Sequence, residues 1–152
     1  MTTLESVRDL ARRAHAGQVD KMGRDYYTAH LEPIAERLAP LGPDAEMAGL
    51  LHDILEDTDV TVAELTDFGV PAHVIRAVVA VTKNDGEDYS AAIERAAADP
   101  LGRQVKLADN AQNLSGNAAL AERDPQTAAR LKQKYETARE RLLAAVCDDP
   151  AR

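Results

Sequence analysis

The chain has 152 residues, enough for one domain with a real core; a domain of this size buries ~70% of its unfolded surface. Its net charge of −8 excludes a nonspecific nucleic-acid binder, which needs a basic stripe. A single cysteine, Cys147, excludes an intrachain disulfide framework and fits a reducing cytoplasm, and no run of ~18 apolar residues is present to span a membrane.

Aromatic residues make up 3% of the chain and Trp is absent, so the core must come from Leu, Val, Ile and Ala, which favours helix over sheet. The expected fold is all-α: about seven or eight helices in one domain over residues 1–152, with its core at about 4–146. Leu4, Val7, Leu10, Ala11 and Ala14 predict a first helix ending near His15. The opening residues lack the apolar middle of a signal peptide. Residues 17–27 read as a polar loop with two glycines. A second helix is predicted over 30–38, with Pro33 tolerated in its first turn. Pro40, Gly42 and Pro43 break the pattern, and Asp44 is the expected cap of a third helix carrying Met47, Leu50, Leu51, Ile54 and Leu55. Thr61 and Glu64 form a capping box for a short helix that stops at Phe68 and Gly69.

Pro71 opens a helix through Val74, Ile75, Val78 and Val79. This stretch has β propensity, but apolar spacing of three and four favours helix. Asn84 to Glu87 is a loop, followed by a helix from about Tyr89 to Ala98. Asp99-Pro100 and Asp124-Pro125 each read as a cap followed by proline at the first helical position. The second of these starts a long helix to about Val146.

The run His52-Asp53-Ile54-Leu55-Glu56-Asp57 packs one imidazole and three carboxylates into six residues. Such acids repel one another, and a cation among them turns repulsion into attraction. On a continuous helix His52 and Glu56 share a face, as do Asp53 and Asp57, with Asp53 and Glu56 three apart. Acids at a helix C-terminus also oppose the macrodipole, which argues against plain solvated surface. Imidazole with carboxylate suits Mn, Fe or Zn. Further ligands must come from elsewhere: the other histidines are His15, His30 and His73, and Asp109 is a lone acid in the amphipathic stretch Val105-Lys106-Leu107-Ala108-Asp109. His73 reads as a surface or packing histidine, and His15 as a candidate buried hydrogen-bonding residue beside the loop.

In order, Ala14-His15-Ala16-Gly17-Gln18, the Gly23-to-His30 segment, Leu51-His52-Asp53-Ile54-Leu55-Glu56-Asp57-Thr58, Val81-Thr82-Lys83 and Val105-Lys106-Leu107-Ala108-Asp109 with Asn113 resemble the HD-domain phosphohydrolase superfamily. More narrowly they resemble the Rel/SpoT-type alarmone hydrolases and their small stand-alone relatives, the metazoan SpoT homologues among them. The resemblance implies an all-helical HD-domain fold and one divalent metal, usually manganese, held by His30, His52, Asp53 and Asp109. Only His73 lies between the His-Asp pair and Asp109, which fits one metal and not two. Glu56 and Asp57 would position and deprotonate the attacking water. The implied reaction removes pyrophosphate from the 3′ position of guanosine tetra- or pentaphosphate in the cytoplasm. Lys21, Arg24, Lys83, Asn113 and Tyr135 are the candidate contacts to this small anionic nucleotide, with Lys106 and Lys134 as further cations; neither a nucleic acid nor a membrane partner is expected.

The chain departs from the family pattern in places. Asp20-Lys21 stands where the family has Arg-Lys, whose arginine lies by the guanine base. One extra residue separates Gly23 from His30. Ala108-Asp109-Asn110-Ala111-Gln112-Asn113 stands for Ala-Asp-Arg-Leu-His-Asn. The expectation is intact metal and water machinery with altered nucleotide recognition. The length leaves no room for a synthetase or regulatory domain. Two competing readings are a phosphohydrolase of another nucleotide (an adenine alarmone, the 2′-phosphate of NADPH or a nucleoside monophosphate) and a metal- or nucleotide-binding module without turnover.

Overall fold

The structure, a computed structural model, describes residues 2–147; the side chain of Cys147 lies outside the described residues. Helix α1 (Leu4–Ala14) starts at Thr3, whose hydroxyl accepts from the Ser6 N–H at 3.1 Å while Ser6 Oγ accepts from the Thr3 N–H at 3.0 Å. This reciprocal cap satisfies two backbone donors that the helix leaves open. The polar loop follows, and within it Val19 and Asp25 make an isolated antiparallel bridge. No other pairing of extended backbone occurs among the described residues, so the all-α expectation holds.

The second helix begins earlier than its sequence pattern predicts. A π-turn spans Tyr27–Leu31 and runs directly into α2 (Glu32–Leu38). The Glu32 N–H reaches back five residues to the Tyr27 carbonyl. Pro33 is the second residue of α2, in its first turn as expected, and the π-turn precedes it directly. Behind another helical turn a proline has no N–H to give and crowds the carbonyl four residues back, and the wider turn relieves that conflict. The π-turn also accommodates one residue more than an α-turn, which gives a place to the extra residue between Gly23 and His30.

Helix α3 (Pro43–Leu51) has Gly42 as its N-cap, with Pro43 at the first position. Asp44 is thus in the first turn and is not the cap; its carboxylate instead meets the exposed His73 at 2.6 Å. The third helix is not continuous through the acidic run. It ends at Leu51, and a separate turn, α4 (Ile54–Asp57), starts after Asp53. Asp53 adopts φ −102° and ψ 0° as the N-cap of α4. The helix is therefore interrupted at this point, and Asp53 lies at a helix N-terminus where a carboxylate is favourable.

The remaining elements follow their signals closely. Helix α5 (Val62–Phe68) carries the capping box of Thr61 and Glu64 and ends on Gly69, whose φ of 98° is left-handed. Helices α6 (Ala72–Val81) and α7 (Tyr89–Ala98) flank the Asn84 loop. Asp99 caps α8 (Pro100–Ser115) by accepting from the Gly102 N–H at 2.7 Å. A break at Gly116 separates α9 (Asn117–Arg123) from α8, and Asp124 caps α10 (Pro125–Cys147) through the Thr127 N–H.

Leu31, Ile34, Leu50, Leu51, Val74, Val78 and Val105 are essentially inaccessible and join α2, α3, α6 and α8 with Val7 and Ala11 of α1. Each such aliphatic side chain contributes roughly 1.5–3 kcal/mol when fully buried. A smaller cluster of Ile93, Ala97, Ala138 and Leu142 ties α7 to α10. Gly49 lets α3 approach α2: a Cβ there would stand 2.7 Å from Leu38 Cδ1. Among the described residues no helix is long and apolar enough to cross a membrane.

Candidate metal centre

The π-turn, the break between α3 and α4, and the middle of α8 meet at one point. His30 comes from the π-turn, His52 from the end of α3, Asp53 from the cap of α4 and Asp109 from α8. Asp109 Oδ1 lies 3.2 Å from His30 Nε2 and 3.7 Å from His52 Nε2. Asp53 Oδ2 lies 3.6 Å and 3.1 Å from the same two nitrogens. One ligand atom from each of His30, His52 and Asp109 falls within 4.8 Å of the others, a spacing that can hold a metal ion.

The chemistry of His52 fits that use. The ring is 3% exposed, and Nδ1 lies 2.6 Å from the Gly49 carbonyl oxygen. A carbonyl only accepts, so Nδ1 carries the proton and Nε2 offers a lone pair. Nε2 is buried without a hydrogen-bond partner. Leaving such an atom unsatisfied costs about 1–3 kcal/mol. A lone pair facing carboxylate oxygens needs a positive charge between them, and a divalent cation supplies it; the imidazole and carboxylate donors suit one. A proton and a metal ion compete for this position, because the same carboxylates favour positive charge there. Burial pushes the His52 imidazole down, yet Asp53 and Asp109 hold it well above its ordinary value. Burial likewise pushes the Asp53 carboxyl up, but the His52 charge brings it down to about 2.

A second layer orients these groups. Tyr26 Oη donates to Asp53 Oδ2 at 2.5 Å, and its ring centroid is 4.9 Å from that of His30. Burial, then the Asp53 charge, raises the Tyr26 phenol and keeps it a donor. Lys106 Nζ donates to Asp109 Oδ2 at 2.8 Å, and Asn113 Nδ2 to Asp109 Oδ1 at 3.2 Å. Burial works against the Lys106 charge, but Asp109 more than restores it.

A cavity of about 370 Å³ opens over this cluster, and His30, Asp53, Glu56 and Asp109 line it. Lys21, Arg24, Lys106, Asn113, Lys134 and Tyr135 line it too. Lys21 Nζ donates to Tyr135 Oη at 3.0 Å, and Lys134 sits 4.1 Å from the Tyr89 ring centroid. Arg24 is turned onto Asp20, with its Nε donating to Asp20 Oδ2 at 2.9 Å. Asp20 also accepts from the N–H groups of Met22 and Arg24, so its oxygens are occupied.

Three residues of the sequence-based site stand outside the cavity lining: His52, which is buried, and Lys83 and Asp57. The Lys83 side chain is exposed; its backbone N–H donates to Glu56 Oε1 at 3.0 Å. Asp57 is exposed and accepts from Gln18 Nε2 at 3.0 Å. Burial pushes the Glu56 carboxyl up, with the Lys83 N–H opposing and Asp53 and Asp57 adding to the rise. His15 is 2% exposed with Nδ1 2.7 Å from Gln18 Oε1, the buried hydrogen-bonding histidine its position suggested. Tyr26 and the Lys106–Asp109 pair are the parts that sequence reasoning missed. Tyr26 is four residues before His30, a helical spacing hidden because the segment reads as loop.

No family model matches the chain. A guanosine-3′,5′-bis(diphosphate) 3′-pyrophosphohydrolase from Aquifex aeolicus is 37% identical over 117 residues, covering 70% of this chain and 16% of that protein. A GTP pyrophosphokinase from Streptomyces coelicolor is 38% identical over 123 residues, covering 73% of this chain and 14% of that protein. The chain thus spans a small fraction of the length of these relatives. A solved structure of a metazoan ortholog of SpoT that hydrolyzes ppGpp superposes with a TM-score of 0.66 at 24% identity, over 76% of this chain and 70% of that one. That likeness shows the fold, and together with the sequence relatives it supports an HD-type, Rel/SpoT hydrolase-like domain.

Proposed function

We propose that the chain is a metal-dependent nucleotide phosphohydrolase in the cytoplasm that releases pyrophosphate from the 3′ position of guanosine 3′,5′-bis(diphosphate). The observation that carries this reading is one cavity that meets both halves of the problem. His30, Asp53 and Asp109 line it, and so do Lys21, Lys106 and Lys134. The Aquifex aeolicus relative, named for this activity, aligns with 70% of the chain.

In this reading His30, His52, Asp53 and Asp109 hold one Mn²⁺. Such a cation, when bound, acidifies water and polarises a phosphoryl oxygen. Glu56, though exposed, lines the cavity with a carboxyl raised by partial burial and by the charges of Asp53 and Asp57, which suits it to take a proton from the attacking water. Asp57 orients that water from the rim. The water oxygen bonds to the phosphorus nearest the ribose, the bond from that phosphorus to the 3′ oxygen breaks, and a proton ends on the 3′ oxygen. Guanosine 5′-diphosphate and pyrophosphate leave. The lysines neutralise phosphate charge, with Lys83 near the rim, while Asn113 and Tyr135 meet the nucleoside.

A second reading follows from one observation. Asp20 stands where the resemblance places a base-contacting arginine, and its carboxylate pairs with Arg24, which favours a nucleotide other than a guanine one. The test is a panel of nucleotides with manganese-loaded protein. Pyrophosphate release from guanosine tetraphosphate, faster than phosphate release from adenine nucleotides or NADPH, is expected. Faster turnover of one of the others would replace the substrate, and turnover of none would remove the hydrolase reading.

A further inference from the structure

The mechanism above leaves the buried imidazole of His15, at the end of α1, unused. The geometry points to a hydrogen-bonded relay, His15–Gln18–Asp57, in which His15 and Gln18 are positioning residues that set the direction of the Asp57 carboxylate. This inference rests on the hydrolase reading and adds to it the residues that aim its rim acid.

The direction of the relay is fixed by chemistry. Asp57 as a carboxylate only accepts, so the Gln18 group facing it at 3.0 Å is the amide Nε2. Gln18 Oε1 then faces His15 Nδ1 at 2.7 Å, and that nitrogen must carry the proton. The opposite nitrogen, His15 Nε2, is buried with no hydrogen-bond partner. His15 therefore acts as a donor from Nδ1 toward Gln18. A buried ring with one bare nitrogen is a costly way merely to fill space, and the relay gives it a use.

Gln18 has little freedom to do otherwise. Its N–H donates to the His15 carbonyl, and its own carbonyl accepts from the Tyr26 N–H, each at 3.0 Å. Gly17 makes the turn between them with φ 84°, a conformation that other residues resist. The side chain thus spans from the buried end of α1 to the exposed Asp57 at the end of α4. The same backbone bond to Tyr26 links it to the residue that holds Asp53. Asp57 has few other restraints as an exposed side chain, so its aim depends on Gln18. A misplacement of about 1 Å at a reacting group costs on the order of 100-fold in rate.

The experiment measures kcat, KM and melting temperature on manganese-loaded wild type, Q18A, H15N, H15L, D57N and Q18A/D57N. Q18A should lower kcat by about 10- to 100-fold with KM and melting temperature nearly unchanged. H15L should fall similarly, whereas H15N, whose amide N–H sits near the place of Nδ1, should restore most of the rate. In the D57N background Q18A should cost nothing further, because its effect passes through Asp57. Full kcat in Q18A, a further loss in Q18A/D57N equal to that in wild type, or failure of H15N to exceed H15L would each overturn the relay. An inactive wild type would instead remove the hydrolase reading, and the relay's purpose with it; an active wild type with a full-speed Q18A would remove the relay alone.

Discussion

His52 donates its Nδ1 proton to the carbonyl of Gly49, three residues earlier on the same helix, at 2.6 Å. Gly49 also faces α2 closely, with Leu38 Cδ1 2.7 Å and Ala35 Cα 3.4 Å from the place of a Cβ. One residue therefore sets both the helix crossing and the tautomer of a proposed ligand. Gly49→Ala should overpack this contact and cost about 1–3 kcal/mol of stability, read by urea unfolding. The shift of α3 should also weaken metal binding, read by calorimetric titration with Mn²⁺. An unchanged unfolding midpoint would show that Leu38 absorbs the extra methyl.

The proposed ligands make a direct prediction about cation binding. Adding Mn²⁺ to chelator-treated protein at a hundredfold excess over Kd should stabilise the fold by about 2.7 kcal/mol, seen as a raised melting temperature. His30→Ala and Asp109→Asn should abolish that rise while the helical circular dichroism remains. Asp53→Asn separates two roles: loss of the rise makes Asp53 a ligand, and a full rise leaves it as the partner of Tyr26, which donates to its Oδ2.

Most helices were legible because their ends carry local chemistry. Thr61 with Glu64, Asp99 before Pro100 and Asp124 before Pro125 cap helices in the structure where the sequence places them. Two features were hidden because they are departures from the regular period. The break at Asp53 leaves the apolar pattern of Leu50, Leu51, Ile54 and Leu55 intact, so periodicity cannot reveal it. The π-turn at Tyr27–Leu31 likewise looks like loop followed by helix. The four residues His30, His52, Asp53 and Asp109 were legible as a set only through the family resemblance, since spacing alone linked just His52 and Asp53. Lys106 was legible as a cation, but its bond to Asp109 depends on which face of α8 meets the site.

The loop between α6 and α7 supports Glu56 through the Lys83 N–H, and Arg95 clasps that loop. Arg95 donates twice to Glu87, each bond 2.7 Å, and also to the Val79 carbonyl at 3.1 Å. The Arg95 bonds, with the Asn84 N–H, lower the Glu87 carboxyl from 4.5 to about 2. A lowered folded-state value means that the stabilisation is present above the ordinary value and is lost as pH falls toward the folded one. Glu87→Gln should therefore lower the melting temperature at pH 7. The gap to wild type should close as pH falls from 4.5 to about 2. A gap that persists at the acid end would assign the effect to packing and not to the charge.

Lys134 tests the anionic substrate. Its ammonium lies against the Tyr89 ring, and burial lowers its pKa, with Lys106, Lys21, Arg130 and Lys83 adding like-charge pressure. A polyphosphate entering the cavity would relieve that pressure, because attraction to a desolvated anion is strongest where solvent screening is least. Lys134→Met should raise KM for guanosine tetraphosphate by roughly tenfold, equal to about 1.4 kcal/mol, and leave kcat nearly unchanged if its contribution is uniform binding. The wild-type KM should rise with added salt, and that of Lys134→Met should rise less steeply. Equal salt dependence in the two proteins would place the substrate's phosphates elsewhere in the cavity, with Lys21 and Lys106 as the cations to vary next.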